Sequence, residues 1–210
     1  ENIEILENSE GIYNFIDVTT DESFIMLNSS VAPFDDIRAR RALAYATPKE
    51  DYIALITAGL GVPADQLFHP DNPYHNPAVK QEADMPDEAA ALAAEYCADV
   101  PASCTDGRIK MEYQFVEGSV LNQRIAELLE KGWSGAFDVT FDLKPQQGHI
   151  QDAALGYYNA VAWRQFGSLR PEGDNVWVMC RTVGFISLNW PKYCDEDRDA
   201  LLWEATATRD

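Results

Sequence analysis

Apolar positions recur at helical spacing through residues 37–46, where Ile37, Ala39, Ala42, Leu43 and Ala46 share a stripe and Arg38, Arg40 and Arg41 stay in water. Asp35 or Asp36 stands where a helix cap is needed, so the pattern predicts a helix that stops near Ala46. Thr47-Pro48-Lys49-Glu50 then reads as a capping box: the Thr47 hydroxyl takes an orphan amide, Pro48 sits at the first helical position and Glu50 reaches back. A second helix is expected to run through Ile53, Leu55, Ile56 and Ala58 to Gly59. There Gly59-Leu60-Gly61-Val62-Pro63-Ala64 offers a left-handed stop and a stiff extended exit.

Elsewhere the period changes. Residues 3–6 and 12–18 alternate in a strand-like way around Asn8-Ser9-Glu10-Gly11, whose composition suits a tight reversal, so a hairpin is expected. Residues 24–28 add a strand, and residues 62–79 form a proline-rich connector without periodicity. Met85-Pro86-Asp87-Glu88 opens a third helix that continues through an alanine-rich run and ends before Pro101. Residues 109–116 read as a strand, 119–132 as an amphipathic helix, and 137–143 as a strand alternating Phe137, Val139, Phe141 and Leu143 with polar residues. Strand, helix, strand suggests a crossover unit. A short helix over 146–155, a buried strand over 158–163 and a final helix over 195–207 complete a mixed α/β lobe with a mixed sheet flanked by helices.

Length and composition narrow the class. The 210 residues fit one domain, and 46% hydrophobic residues with 5 Trp, 9 Tyr and 9 Phe are enough for a packed core. No apolar run is long enough to span a membrane. Thirty-five Asp and Glu against 16 Lys and Arg give a net charge of −19, which repels phosphate backbones and argues against nucleic-acid binding. The carboxylates are scattered through the sequence, as a solvated acidic surface requires, and show no focused cluster for a cationic ligand.

The order of elements and motifs closely resembles the family 5 extracellular solute-binding proteins, the peptide, dipeptide and nickel receptors of bacterial ABC importers. The resemblance rests on Pro33-Phe34-Asp35-Asp36-Ile37-Arg38-Ala39-Arg40-Arg41-Ala42-Leu43, preceded by a strand that ends in Asn28. It continues through Phe68-His69-Pro70 with Pro73-Tyr74, the alanine-rich helix, Asn122 with Arg124-Ile125-Ala126-Glu127-Leu128-Leu129, Asn189 with Tyr193, and Asp199-Ala200-Leu201-Leu202. Family members are longer, two-lobed receptors. The chain lacks a charged start followed by an apolar signal segment, so the resemblance implies that residues 1–210 are one excised lobe of the periplasmic-binding-protein type II kind. It implies export to a periplasmic or extracellular location, membrane association of the full-length protein, a small-molecule or peptide ligand, and an ABC permease as partner. No cofactor is implied.

Export also bears on the cysteines. Cys97 with Cys104 and Cys180 with Cys194 form two sequence-local pairs without zinc-type spacing. Some family members carry a disulfide of similar span in the region of the second pair, so two local bridges are expected, with four buried thiols as the alternative.

The resemblance places the ligand site after the buried strand. Trp163 matches a family tryptophan that lines the cleft, and Arg164, Gln165, Phe166 and Gly167 follow it, an aromatic plane, a cation and an amide leaving a strand end. Several peptide-binding members place an Asp three residues after that tryptophan to hold the ligand's free amine. Here Phe166 stands there, which opens the ligand to a sugar, an opine-like compound or a metal chelate as well as a peptide. Two other constellations are weaker. His69, Asp71 and His75 carry metal-ligand atoms, but in a proline-stiffened connector they serve turns and no third ligand is fixed by spacing. His149 and Ser168 could serve an exported hydrolase on a similar scaffold, yet no nucleophile elbow, zinc motif or phosphate loop accompanies them. A binding protein that is not an enzyme is the reading, with a hydrolase or a protein-interaction module as alternatives.

Overall fold

The structure, a computed structural model, describes residues 5–6, 8–13, 21–166, 171–184 and 187–208. In chain order its elements are β1 (Asp21–Leu27), α1 (Ile37–Ala46), α2 (Lys49–Leu55), α3 (Pro86–Asp99), β2 (Cys104–Thr105), β3 (Arg108–Val116), α4 (Val120–Trp133), β4 (Phe137–Lys144), α5 (Gln146–Leu155), β5 (Ala160–Phe166), α6 (Asn175–Val178) and α7 (Glu196–Ala207).

β3 is central. β4 runs parallel along one edge, from Ile109 opposite Phe137 to Val116 opposite Lys144. β5 runs parallel on the other, with Tyr113 opposite Ala160 and Gln114 opposite Val161. Ile109 already faces β4, so its antiparallel partner Cys104 in β2 must occupy the β5 edge, before β5 begins. β1 closes that side antiparallel to β5, Phe24 lying opposite Trp163 and Glu22 opposite Gln165. The expected crossover is thus β3–α4–β4.

Period-2 alternation sends Ile109, Met111, Tyr113 and Phe115 to one face, where they join Phe137, Phe34, Trp133 and the buried stripes of α1 and α3 in the main core. Trp133 is fully buried, meets Tyr113 edge-to-face at 5.1 Å, and its Nε1 donates to Thr47 Oγ1 at 3.1 Å. A second, smaller cluster on the opposite face holds Met26, Ala153, Tyr158 and Val161, with Trp163 and Trp190 packed on it.

Two buried asparagines explain motif positions. Asn28, just past β1, donates to the Gly156 and Tyr158 carbonyls and accepts from the Ser30 amide and hydroxyl. Asn189 donates to the carbonyls of Val178, Met179 and Tyr193, so the Asn-x-x-x-Tyr spacing is that of a loop tied to its own side chain. Both expected disulfides are formed. Cys97–Cys104 ties the end of α3 to β2, and Cys180–Cys194 spans 14 positions ahead of α7.

Several local expectations are corrected. α1 is capped by Asp36, whose carboxylate accepts from the Arg38 amide, and buries Ala39, Ala42, Leu43 and Ala46, but Ile37 is 53% exposed at its open first turn. Arg38 is half-buried and forks between Asp36 and Asp99, tying α1 to the end of α3. The capping box is absent: Pro48 takes the cap position, and the Thr47 hydroxyl donates back to the Leu43 carbonyl at 2.6 Å while receiving Trp133. A tertiary partner has outcompeted the local one. α2 buries nothing and stops at Leu55, 69% exposed, short of the left-handed Ala58 and Gly59. Ile5 and Leu6 are helical, not a strand, with Asn8–Gly11 in turns as expected. Residues 14–20, the rest of the expected hairpin, lie outside the described residues.

Candidate functional site

The parallel strands β3, β4 and β5 run to the same end of the sheet, and α4 and α5 begin just beyond the first two. Strand ends of this kind are where α/β folds place ligands, because loops there are free of packing duties. β5 runs past its last pairing with β3, Gln114–Val161, so Trp163 and Gln165 emerge at that end with only β1 beside them.

Five consecutive residues of an extended chain cannot face one ligand. Alternation puts Val161, Trp163 and Gln165 on the smaller-cluster face, together with Met26, Phe24 and Glu22 of β1. Arg164 is exposed and belongs to the other face, with Ala160 and Ala162. Phe166 ends β5, and Gly167 lies outside the described residues, as does Ser168.

Trp163 is half-buried and held on two sides. His149 of α5 stacks on it at 5.5 Å and 13°, while Trp190 meets it edge-on at 5.0 Å and 87°. Trp190 in turn meets Trp177 of α6 edge-on at 5.7 Å. Such contacts fix the ring beyond what its buried area alone would do.

The imidazole beneath it has a defined hydrogen-bond frame. His149 Nε2 lies 2.9 Å from the Ala162 carbonyl, an acceptor only, so Nε2 carries the proton and Nδ1 accepts from Gln114 Nε2 at 3.4 Å. Burial pushes its pKa below the ordinary imidazole value, against the upward pull of Asp152 and Asp142. His149 is therefore a neutral support for Trp163. Gln114 is fully buried, and its Oε1 has no partner among the described residues.

Charge is distributed unevenly around the face. Glu22 is half-buried, and burial first, then the nearby Asp174 carboxylate, push its carboxyl above the usual range. Lys144 sits 3.2 Å from both Asp142 and Asp152, joining β4 to α5. At the far end of the same face a shallow hollow of about 310 Å³ is lined by Lys110, Glu112, Asp138, Thr140 and Asn159, distant from the aromatic group. The connector residues do not converge: His69 Nδ1 is 3.6 Å from Asp71 Oδ2, His75 Nδ1 is held 3.0 Å from the Phe68 carbonyl, and among the described residues no group of three possible ligands surrounds a metal position.

Sequence reasoning singled out Trp163 but missed its frame. Glu22, Phe24, Trp177 and Trp190 come from remote segments, and His149 was weighed only as a catalytic base. The alternation of β5 would have separated Arg164 from Trp163; the cross-strand partners had no sequence signal.

The model described as bacterial extracellular solute-binding proteins, family 5 Middle, matches residues 1–184. The chain belongs to this family. Among curated family 5 relatives, the dipeptide-binding protein of Escherichia coli K12 is 26% identical over 193 residues, covering 89% of this chain and 35% of that protein. The nickel-binding periplasmic protein of the same organism is 30% identical over 111 residues, covering 50% of this chain and 21% of that protein. The solved structure of HbpA2 from Haemophilus parasuis covers all of this chain and 41% of its own, with a TM-score of 0.83 at 18% identity. The likeness in fold confirms the mixed sheet with flanking helices. This chain thus spans about a third or less of the curated relatives it matches, and family 5 proteins are extracellular or periplasmic binding proteins. No described helix is long and apolar enough to cross a membrane.

Proposed function

We propose that residues 1–210 form one lobe of a two-lobed receptor that captures a small solute or peptide, delivers it to the permease of an ABC importer, and carries out no covalent chemistry. The observation that carries this reading is the tryptophan at the strand end. Trp163 is braced from behind by His149 and from the side by Trp190, remains only half-buried, and shares its sheet face with Phe24 and Gln165. A rigid aromatic plane at a strand end gives a ligand a stacking surface without an ordering cost, and a second lobe closing over it would remove the ligand from water. The nickel-binding and dipeptide-binding relatives support transport over hydrolysis. Membrane association of the full-length receptor belongs to the same proposal.

The test is calorimetric titration of the full-length receptor against a panel of short peptides, sugars and metal chelates, with Trp163→Ala beside it. The variant should lose roughly tenfold or more in affinity, since aromatic anchors are often worth over 1 kcal/mol. It should also melt somewhat lower, because Trp163 packs on Met26, Ala153, Tyr158 and Val161. Unchanged affinity in a folded variant would remove Trp163 from the site.

A further inference from the structure

We propose that Gln114 of β3 is a positioning residue for Trp163 that acts through His149: its side-chain amide reverses when His149 takes up a proton, so that the support under the indole has a neutral and a cationic form. For what this does to a ligand, the inference rests on the reading of Trp163 as the platform. The two nitrogens of His149 fix the starting state. Nε2 lies 2.9 Å from the Ala162 carbonyl, which only accepts, so Nε2 carries the proton and Nδ1 of the neutral ring can only accept in turn. Gln114 therefore turns its amide nitrogen to Nδ1, at 3.4 Å, and its buried oxygen is left without a partner among the described residues. An unpaired buried carbonyl is unfavourable, and Leu or Met would fill the same space without one.

Protonation inverts the arrangement. A proton taken from water onto Nδ1 makes both ring nitrogens donors, and Nδ1–H would then point at the N–H of the Gln114 amide, donor against donor. A half-turn of the amide about its last side-chain bond brings the idle oxygen opposite Nδ1. Nδ1–H then donates to Oε1 while Nε2–H keeps the Ala162 carbonyl, so the imidazolium has both donors satisfied with its ring in place. That ring lies nearly parallel to the indole, 5.5 Å away and 13° apart, within the range of cation–π attraction, while Trp190 holds the indole edge-on. The cationic form thus grips Trp163 harder, and a ring already held loses less freedom when a solute stacks on it. The surrounding charges decide where the switch sits. Asp152 on the same helix and Asp142 on β4 favour the proton, and Lys144, 3.2 Å from both carboxylates, offsets part of their pull. Glu112 of β3 and Glu22 of β1 add negative charge on the same sheet face, Arg164 of β5 lies on the other face, and Trp177 and Trp190 bring no charge. Burial opposes the proton and wins, which keeps the imidazole below its ordinary pKa.

The experiment is a pH titration of the full-length receptor, without added ligand, followed by nitrogen-15 NMR of labelled histidine, glutamine and tryptophan side chains; signals are identified by their loss in His149→Phe, Gln114→Leu and Trp163→Ala. The His149 ring nitrogens, the Gln114 amide and the Trp163 indole N–H should shift together at one midpoint below the ordinary imidazole value, with the indole less mobile on the acid side. Gln114→Leu removes the acceptor for the cation, so the proton affinity of His149 should fall about tenfold or more, the range for a hydrogen bond to a charged group. Gln114→Glu, which always presents an oxygen to Nδ1, should raise that affinity above the wild type. A packing role alone would lower the melting temperature of both variants without moving the His149 midpoint in opposite directions. A folded Gln114→Leu receptor that titrates like the wild type overturns the inference. So does a Gln114 amide that stays still while His149 titrates, a His149 that stays neutral until acid unfolding, or an indole equally mobile on both sides. Should Gln114→Leu fail to fold, the wild-type amide signal and Gln114→Glu still decide. Failure here leaves the platform reading intact, whereas unchanged solute affinity in Trp163→Ala removes the platform and leaves the Gln114–His149 coupling to its own spectra.

Discussion

Gly132 sits in the last turn of α4, where helix propensity and packing give opposite answers to the same substitution. On propensity alone, Gly132→Ala should stabilise by roughly 1 kcal/mol, since glycine is the poorest helix former after proline. The structure reverses the sign. A Cβ at Gly132 would lie 2.6 Å from Pro48 Cδ, 2.7 Å from Pro48 Cγ and 3.1 Å from the Ala46 carbonyl oxygen. None of these is the free end of a flexible chain: Pro48 is the junction between α1 and α2, and the neighbouring Trp133 is bonded to Thr47. Helix α4 would have to move away from α1, loosening contacts around Trp133, and such overpacking costs about 1–3 kcal/mol. Set against the propensity gain, the net expectation is a destabilisation of up to about 2 kcal/mol, or a drop in Tm of up to roughly 8 °C for a chain of this size. Gly148 in α5 is the internal control. A Cβ there meets nothing closer than 3.8 Å, so Gly148→Ala should gain up to about 1 kcal/mol. Thermal and denaturant unfolding of the two variants reads both signs in one experiment. If Gly132→Ala were as stable as Gly148→Ala, the close approach of α4 to the α1–α2 junction would be wrong.

Two further outcomes follow from the structure. His149 has a folded pKa pushed down by burial, so the unfolded chain binds the proton first as pH falls; stability should be intact above the ordinary imidazole value, near 6.5, and decline below it until the folded group also titrates. Nitrogen-15 NMR should show the Nε2–H tautomer at neutral pH, and a His149→Phe variant that kept the same acid-side slope would assign that slope to another group. Thiol titration of the unfolded, unreduced chain should find no free cysteine, and removing the Cys180–Cys194 bridge should cost about 3 kcal/mol by the loop-entropy argument; reactive thiols would contradict the pairing.

The sequence by itself determined the elements whose cause is local. The stripe of Ala39, Ala42, Leu43 and Ala46 fixed α1 and its inner face, Pro86 fixed the start of α3, and the alternation of Phe137, Val139 and Phe141 fixed β4, because period and capping act within a few residues. The order of motifs, read as a resemblance, carried the family and singled out Trp163 as the expected ligand platform. What only tertiary structure decided was every choice between a local partner and a distant one. Thr47 had a capping role available and gave it up to Trp133, which is 86 positions away. The row from Trp163 to Phe166 read as one cluster until the register of β5 against β1 divided it between two faces and put Glu22 and Phe24 beside the tryptophan. His149 read as a lone base until α5 laid it under that ring, with Gln114 and the Ala162 carbonyl fixing its proton. The physical reason is range: propensities and periods are properties of neighbours along the chain, whereas a binding face is assembled from strand register and helix docking, which bring together residues more than a hundred positions apart.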